Sequence, residues 1–331
     1  MIRIIDATLT KLDDCLPTRE QFHEFIHLMK QIGVIDIAIS MAMYEEIDTL
    51  PEGYRFYLHI DYIPNPCKYQ NIYKYIVRHG ENGTAVISEY QMNDVRELVQ
   101  LRAIADKDYV VLVGLDDLLC YNFVNLMEEI KQTLHKSKIV FCPENTYHLA
   151  TALAVQWVLL GGTEIITTFA GYGNQAATEE VMVALRVIKR HKPNQNIEAL
   201  MDIKQWIESI TGVRTISCKP IIGSSIFSVE SGIHVDGIIK NPNNYQAFSP
   251  SILGKEIKIC LGKHSGSSSI QIKLKEYGIV INDTLKVRKI LKQVKRISMK
   301  KRDSITDREF LQVVQEVIAY EGNEIHSRHD A

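Results

Sequence analysis

The chain has 331 residues, of which 46% are hydrophobic and 24% charged, and its formal net charge is −2. This balance is typical of a large globular protein, and the near-neutral charge gives no electrostatic reason to expect nucleic acid or an anionic membrane as a partner. No run approaches 18 apolar residues, the first residues lack the pattern of a secretory leader, and the six cysteines are scattered without a C-x-x-C pair. We therefore expect a cytoplasmic protein with reduced thiols.

The first 190 residues alternate between short β-branched runs and amphipathic stretches. The β-branched runs are apolar on both faces, which is typical of parallel strands covered by helices. Seven such strands are predicted, at Arg3–Thr8, Val34–Ile39, Phe56–Ile60, Ala85–Ser88, Val110–Gly114, Lys138–Cys142 and Glu164–Phe169.

Helices are predicted in the same region. The first has the clearest signals, because Thr18 and Gln21 form a capping box and apolar residues then recur at helical spacing until Gly33. The others are predicted at Asn71–Arg78, Asp94–Asp106, Phe123–His135, His148–Leu160 and Ala176–Arg190.

This alternation predicts an α/β fold of the TIM-barrel type, followed by a small mixed linker and a helical C-terminal subdomain. An eightfold barrel needs eight strands, so either a strand is hidden in residues 61–108 or one strand–helix unit is missing. An open doubly wound sheet is the alternative architecture. The predicted boundaries are 1–194 for the barrel, 195–266 for the linker subdomain and 267–331 for the helical subdomain.

A basic helix is predicted at residues 286–302. Such a run can bind nucleic acid or a membrane surface. We interpret it instead as a solvated helix face, with Ile290, Leu291, Val294 and Ile297 turned toward a core.

Two motifs follow the alternating region. Residues 228–248 read SVESGIHVDGIIKNPNNYQAF, with His234 and Tyr245 eleven residues apart, and residues 261–266 read LGKHSG. Together with the order of elements, these motifs resemble the acyl-CoA-condensing TIM-barrel family that contains homocitrate synthase, isopropylmalate synthase and citramalate synthase. The valine before Asp236 is closer to the homocitrate type.

The resemblance implies a reaction and a place for these residues. Members of the family join acetyl-CoA to a 2-oxo acid, with a divalent metal that polarises the keto group. The barrel binds the metal and the oxo acid, and the segment after the barrel covers the active site of a partner chain. His234 and Tyr245 hold the positions of the acid–base pair in that segment, and imidazole is suited to such proton transfer near neutral pH.

The barrel departs from the family pattern at the substrate clamp. The first motif keeps Asp6, which the resemblance makes a metal ligand, but Thr10 replaces the arginine that fixes the oxo acid. A hydroxyl group cannot replace a bidentate guanidinium. Lys11 is adjacent, and on a strand it is expected to point to the other face.

The metal positions also differ. Cys142 and Glu144 stand where the family has two histidine ligands, and the loop after the last strand offers Asn174 or Gln175 for a further position. Asp6, Cys142, Glu144 and Asn174 therefore form a candidate replacement metal site. The alternative is that these residues are leftovers of a site that no longer binds metal.

The resemblance thus covers an altered front half and an intact back half. The chain resembles the omega-type, carboxyl-end subunit of a split homocitrate synthase of nitrogen fixers. We expect a homologous partner with an intact barrel that supplies the divalent metal, with acetyl-CoA and the 2-oxo acid bound at the shared site. The alternatives are a self-sufficient acyltransferase with an altered metal site and a non-catalytic regulatory or scaffold protein of the same fold.

Overall fold

The computed structural model describes residues 2–62, 69–193, 196–241 and 248–327. By its internal contacts the chain divides into two compact units, residues 1–223 and 224–331. The boundary between the units falls within the predicted linker subdomain 195–266, so the two ends of that segment belong to different units.

The first unit is a closed barrel of eight parallel strands, in which each strand pairs with the next and β8 pairs with β1. The predicted TIM-type architecture is confirmed, and no strand is missing. The strands are β1 Arg3–Asp6, β2 Asp36–Ser40, β3 Arg55–Ile60, β4 Ile72–Arg78, β5 Val86–Met92, β6 Tyr109–Gly114, β7 Lys138–Cys142 and β8 Glu164–Thr167.

The strand missing from the sequence count is β4, where a helix was predicted at Asn71–Arg78. Its tyrosines and β-branched residues favour an extended chain, and Ile76 joins the core inside the barrel. Only residues 79–85 separate β4 from β5, and none of them is helical. A 3₁₀ helix, Val95–Ile104, replaces the α-helix predicted at Asp94–Asp106. This side of the barrel therefore keeps its strands and has fewer α-helices than an idealised barrel.

Helices cover the rest of the described barrel, and the capping box at Thr18 and Gln21 is confirmed. Helix α6 (Leu200–Thr211) packs on α1 (Arg19–Gln31), because the Trp206 indole donates to the Gln21 carbonyl over 3.0 Å and its ring lies 4.6 Å from the Phe25 ring. These contacts place α6 in the first unit. The helices are α1 Arg19–Gln31, α2 Met41–Ile47 (not predicted), α3 Phe123–Thr133, α4 Ala150–Leu159, α5 Thr178–Ile188 and α6 Leu200–Thr211.

Ionic contacts close the amino end of the barrel interior. The Glu164 carboxylate is buried and receives Arg3 at 2.8 Å and Lys138 at 2.6 Å, while Arg55 forms a bidentate pair with Asp36. Above this layer lies an apolar core of strand residues. Space for a ligand is therefore found toward the carboxyl ends of the strands, where barrel enzymes place their sites.

The second unit is mostly helical, with β9 Ser228–Val229 paired in parallel with β10 Lys258–Ile259. Its helices are α7 Gly232–Lys240, α8 Ser267–Glu276, α9 Thr284–Lys301 and α10 Asp307–Ser327. Ile290 and Val294 of the basic helix are fully buried, and Leu291 and Ile297 pack against the same core, as predicted. No helix in the described ranges is long and apolar enough to cross a membrane.

Candidate active-site residues

A cavity of about 120 Å³ lies at the carboxyl ends of the barrel strands. Its apolar wall includes Ala38, Val113 and Ile166, which continue the barrel core. Its polar lining combines charges of both signs with amides, a hydroxyl and a thiol: Thr10, Lys11, His59, Arg78, Glu89, Gln91, Cys142, Glu144 and Gln175.

Cys142 and Gln175 form the buried floor of this cavity. The Gln175 Nε2 group donates to Cys142 Sγ over 3.2 Å. Burial raises the pKa of the Cys142 thiol far above its ordinary value, so this group keeps its proton at neutral pH. Gln175 is only 6% exposed, and its Oε1 atom has no hydrogen-bond partner within the described part of the chain.

The backbone brings Glu144 next to Gln175. The two residues form an antiparallel bridge, and the Asn145 amide donates to the Asn174 carbonyl over 2.9 Å. This pairing directs Gln175 inward, whereas Asn174 is exposed with φ of +63°. Of the two alternatives for the loop position, Gln175 therefore lines the cavity and Asn174 does not. The Glu144 carboxylate accepts from Gln91 Nε2 over 2.9 Å.

Glu89 is the most strongly paired charge of the cavity. Its carboxylate lies 3.1 Å from His59 Nε2 and 3.6 Å from Arg78 Nε. Burial alone would raise the pKa of Glu89, but His59, Arg78 and Lys11 outweigh it and lower that pKa. Glu89 is therefore ionised at neutral pH, with the Arg78 guanidinium as its cationic neighbour.

Lys11 lines the cavity beside Thr10, and the expectation that it points away is wrong. Residues Thr8–Lys11 form a 3₁₀ turn after β1, so the alternation of a strand does not apply to them. The Lys11 stem packs over Gly173, where an added Cβ would come within 2.7 Å of the Lys11 Cγ atom. Among the described residues Lys11 has no ion-pair partner, and its charge acts on the pKa of Glu89 and Cys142.

Asp6 lies outside the cavity. Its fully buried carboxylate accepts from the Thr8 amide over 3.0 Å and from the Thr178 hydroxyl over 2.6 Å. Burial raises its pKa to about 6, against the effect of these hydrogen bonds. Asp6 thus fastens β1 to the first turn of α5.

The candidate metal set Asp6, Cys142, Glu144 and Asn174 is not assembled. In the described ranges no group of three His, Cys, Asp or Glu side chains could hold a metal ion. Asp6 is engaged elsewhere, Asn174 is exposed and does not line the cavity, and Lys11 lines the same cavity as Glu144. These residues do not fit a divalent metal.

The second unit carries the two sequence motifs. His234 lies exposed on the first turn of α7, so it is a helix residue although the sequence favoured a loop. The motifs meet backbone to backbone, because the Gly232 amide donates to the His264 carbonyl over 3.3 Å. An added Cβ at Gly232 would lie 2.8 Å from the Gly266 nitrogen. Tyr245 falls in 242–247, outside the described residues.

Glu230 holds the second motif in place, a role that the sequence did not indicate. Its carboxylate accepts from the His264 amide and from the Ser304 hydroxyl, each over 2.9 Å. Glu230 also lines an open cleft with Ile233 and Asp236 of α7. The first motif, the second motif and the turn before α10 are therefore joined through one carboxylate.

Arg78 and Glu89 line the candidate site, and sequence analysis did not identify them. The helix assigned to 71–78 hid the strand alternation of Lys74, Ile76 and Arg78, which would have placed Arg78 on the inner face. No local signal identifies the pairing of Glu89 with Arg78, because it depends on the register between β4 and β5.

Comparisons with known proteins agree with the sequence resemblance. The family model described as homocitrate synthase post-HMGL domain-like matches residues 221–302. The homocitrate synthase omega subunit of Clostridium pasteurianum is 27% identical over 337 residues, covering 95% of each chain. Homocitrate synthase AksA of Methanothermobacter thermautotrophicus is 35% identical over 196 residues, which are 58% of this chain and 49% of that protein. That match therefore spans about half the length of the relative.

The fold has counterparts among solved structures. Hydroxymethylglutaryl-CoA lyase of Pseudomonas aeruginosa superposes with a TM-score of 0.50 at 13% identity, covering 64% of this chain and 93% of the lyase. This likeness concerns the barrel fold alone.

Proposed function

We propose that this protein, which is similar to the homocitrate synthase omega subunit of Clostridium pasteurianum over 95% of its length, is the omega-type subunit of a heteromeric homocitrate synthase. The enzyme would condense acetyl-CoA with 2-oxoglutarate. The acetyl methyl group loses a proton and its carbon attacks the keto carbon, whose C=O double bond opens to an alkoxide that takes up a proton. Water then hydrolyses the thioester and releases homocitrate and CoA.

The observation that carries this proposal is the difference between the two units. The second unit keeps both family motifs packed together, with Gly232 on the His264 carbonyl and Glu230 on the His264 amide. The first unit has a cavity whose residues do not fit a divalent metal. A chain of this kind is suited to complete another active site.

In the proposed complex a homologous subunit with an intact barrel holds the divalent metal, acetyl-CoA and 2-oxoglutarate. This chain supplies His234 and Tyr245 in trans, and its own barrel serves as the dimerisation scaffold. The exposure of His234 on α7 supports this role, since a side chain that acts on another subunit must be accessible before assembly. Its imidazole would transfer a proton at the reacting centre.

The test is homocitrate formation from acetyl-CoA and 2-oxoglutarate by this chain, by the intact-barrel homologue of the same organism, and by their mixture. Mass spectrometry should be used, because the exposed Cys120 and Cys218 would react with a reagent for CoA thiol. Activity that appears or increases strongly only in the mixture is expected. Activity of this chain alone would favour the self-sufficient acyltransferase and contradict the proposal.

His234→Ala should lower the turnover of the mixture by about 100-fold or more, the usual contribution of a general acid or base. Assembly, measured by size exclusion with light scattering, should be unchanged. His27→Ala removes an exposed histidine of α1 and serves as the matched control. Unchanged turnover in His234→Ala would leave only a scaffold or regulatory role.

A further inference from the structure

The outer face of the basic helix α9 carries a row of cations. Arg288, Lys292, Arg296 and Lys300 follow one another at four-residue spacing, so they lie on one face of the helix, and all four are exposed. None of these four forms an ion pair with a residue in the part of the chain that the structure describes. The whole of α9 contains eight Lys and Arg residues and no Asp or Glu.

This row is unlike an ordinary solvated helix face. Such a face mixes charges of both signs, because a carboxylate four residues from a cation stabilises the helix. In α9 each neighbour at that spacing is a like charge, which destabilises a helix. The helix forms because Val287, Ile290 and Val294 on its opposite face are buried in the core of the second unit. Tertiary packing therefore holds the cations in a repulsive arrangement that an anionic partner would relieve.

Two exposed apolar side chains lie beside the ends of the row. Leu285 is 64% exposed and Met299 is 60% exposed. Leu285 precedes Arg288 by one helical turn, and Met299 follows Arg296 by one turn, so both share the outer face. They lie about 21 Å apart along the helix axis. A partner that covers the row would also remove these two side chains from water.

We propose that this face of α9 is a docking surface for an acidic helix of another protein. Carboxylates in the middle of that helix pair with Arg288, Lys292 and Arg296. Apolar side chains toward its two ends contact Leu285 and Met299. The inference does not depend on the homocitrate synthase activity proposed above, because it concerns only the packing and charge of α9.

Other anionic partners match this face less well. Phosphates of a nucleic acid would pair with the cations but would leave Leu285 and Met299 without an apolar contact. An amphipathic helix enters a membrane surface with its apolar face, and that face of α9 is buried in the protein core. The net charge of −2 includes the eight positive charges of α9, so the rest of the chain is net −10. That charge repels an extended polyanion more than it repels one short helix.

The test is fluorescence anisotropy of a labelled, alanine-based helical peptide titrated with the purified full chain. The peptide carries leucine near each end and glutamate at the positions that face Arg288, Lys292 and Arg296. Saturable binding is expected. A peptide of the same composition, with its glutamates on the side opposite the leucines, should bind at least about tenfold more weakly. Absence of saturable binding, or equal binding by the two peptides, would overturn the proposal.

A charge swap locates the contact. Lys292→Glu should weaken binding by about tenfold, and a peptide with lysine in place of the glutamate that faces residue 292 should restore it. The change turns the repulsion of Lys292 with Arg288 and Arg296 into attraction, so α9 should stay folded, which circular dichroism verifies. Lys136→Glu, at an exposed lysine after α3, is the matched control and should bind the first peptide as the native chain does. Failure of the swapped peptide to restore binding would contradict direct pairing.

The apolar contacts and the class of partner are tested separately. Leu285→Ala and Met299→Ala should each weaken peptide binding by about threefold or more. No effect of either change would mean that the face attracts anions without docking a helix, which would overturn the proposal. Duplex DNA and phosphatidylserine vesicles are the remaining probes at the same ionic strength. Binding of either one as tightly as the peptide would assign the face to that polyanion instead.

Discussion

Replacing Glu179 with glutamine should remove a pH dependence from the stability of the barrel. Glu179 lies on the first turn of α5 and is fully buried. Its Oε2 atom accepts from the Ala170 amide over 2.8 Å, while Oε1 lies 3.6 Å from Lys219 Nζ, beyond hydrogen-bond distance. Burial raises the pKa of Glu179 to about 7, and the attraction of Lys219 only partly opposes it.

The folded pKa of about 7 exceeds the ordinary value of 4.5, so the folded state keeps a proton that the unfolded chain has lost. The stability linked to this group is therefore fully present below about pH 4.5 and is lost as the pH rises through about 7. Between about pH 5 and about pH 8 the free energy of unfolding should fall by about 2–3 kcal/mol through this residue. Glutamine keeps the acceptor for Ala170 and does not titrate.

Urea unfolding followed by tryptophan fluorescence measures this effect in the right unit, because Trp157 and Trp206 both lie in residues 1–223. The fall in the free energy of unfolding between about pH 5 and about pH 8 should be smaller in Glu179→Gln than in the native chain by about 2–3 kcal/mol. Glu128→Gln, which removes an exposed carboxylate of α3, controls for net charge. Equal pH dependence in the native chain and Glu179→Gln would refute a buried, protonated Glu179.

Two further predictions concern packing in each unit. Glu164→Gln leaves Arg3 and Lys138 without their buried anionic partner. Because Lys138 is partly exposed, we expect the free energy of unfolding in the same fluorescence assay to fall by about 2–3 kcal/mol. Glu128→Gln should leave that free energy unchanged. Gly232→Ala forces the α7 backbone away from Gly266 and should speed hydrogen exchange in α8 and lower turnover of the mixed complex. Gly266→Ala is its matched control, because its added Cβ meets only the Gly232 Cα at 3.4 Å, an ordinary contact. Equal exchange in the two glycine variants would contradict the close approach.

The elements that sequence patterns predicted well are those with strong local signals. The capping box at Thr18 begins α1 as expected, and strand Lys138–Cys142 has the predicted bounds. Segment 71–78 failed because it was assigned to a helix ending at Gly80, although its tyrosines and β-branched residues favour a strand. Its assignment as β4 becomes clear only from its pairing with β3 and β5.

The candidate site was also predictable only in part, because it depends on contacts between distant parts of the chain. Cys142 and Glu144 line the cavity as their spacing on one strand face indicated. Lys11 was assigned to the wrong side, because the 3₁₀ turn after β1 brings it inward. Asp6, expected to be a metal ligand, accepts a hydrogen bond from Thr178 of α5 instead of lining the cavity. Contacts between residues more than 150 positions apart leave no trace in local periodicity.

The contacts that hold the barrel closed are made by residues that do not line its cavity. Asp6, which the sequence assigned to a metal, receives two hydrogen bonds that join β1 to α5, and Glu164 closes the amino end with two cations. Neither group needs a metal for its hydrogen bonds, so loss of metal ligands does not remove the contacts that hold the barrel closed.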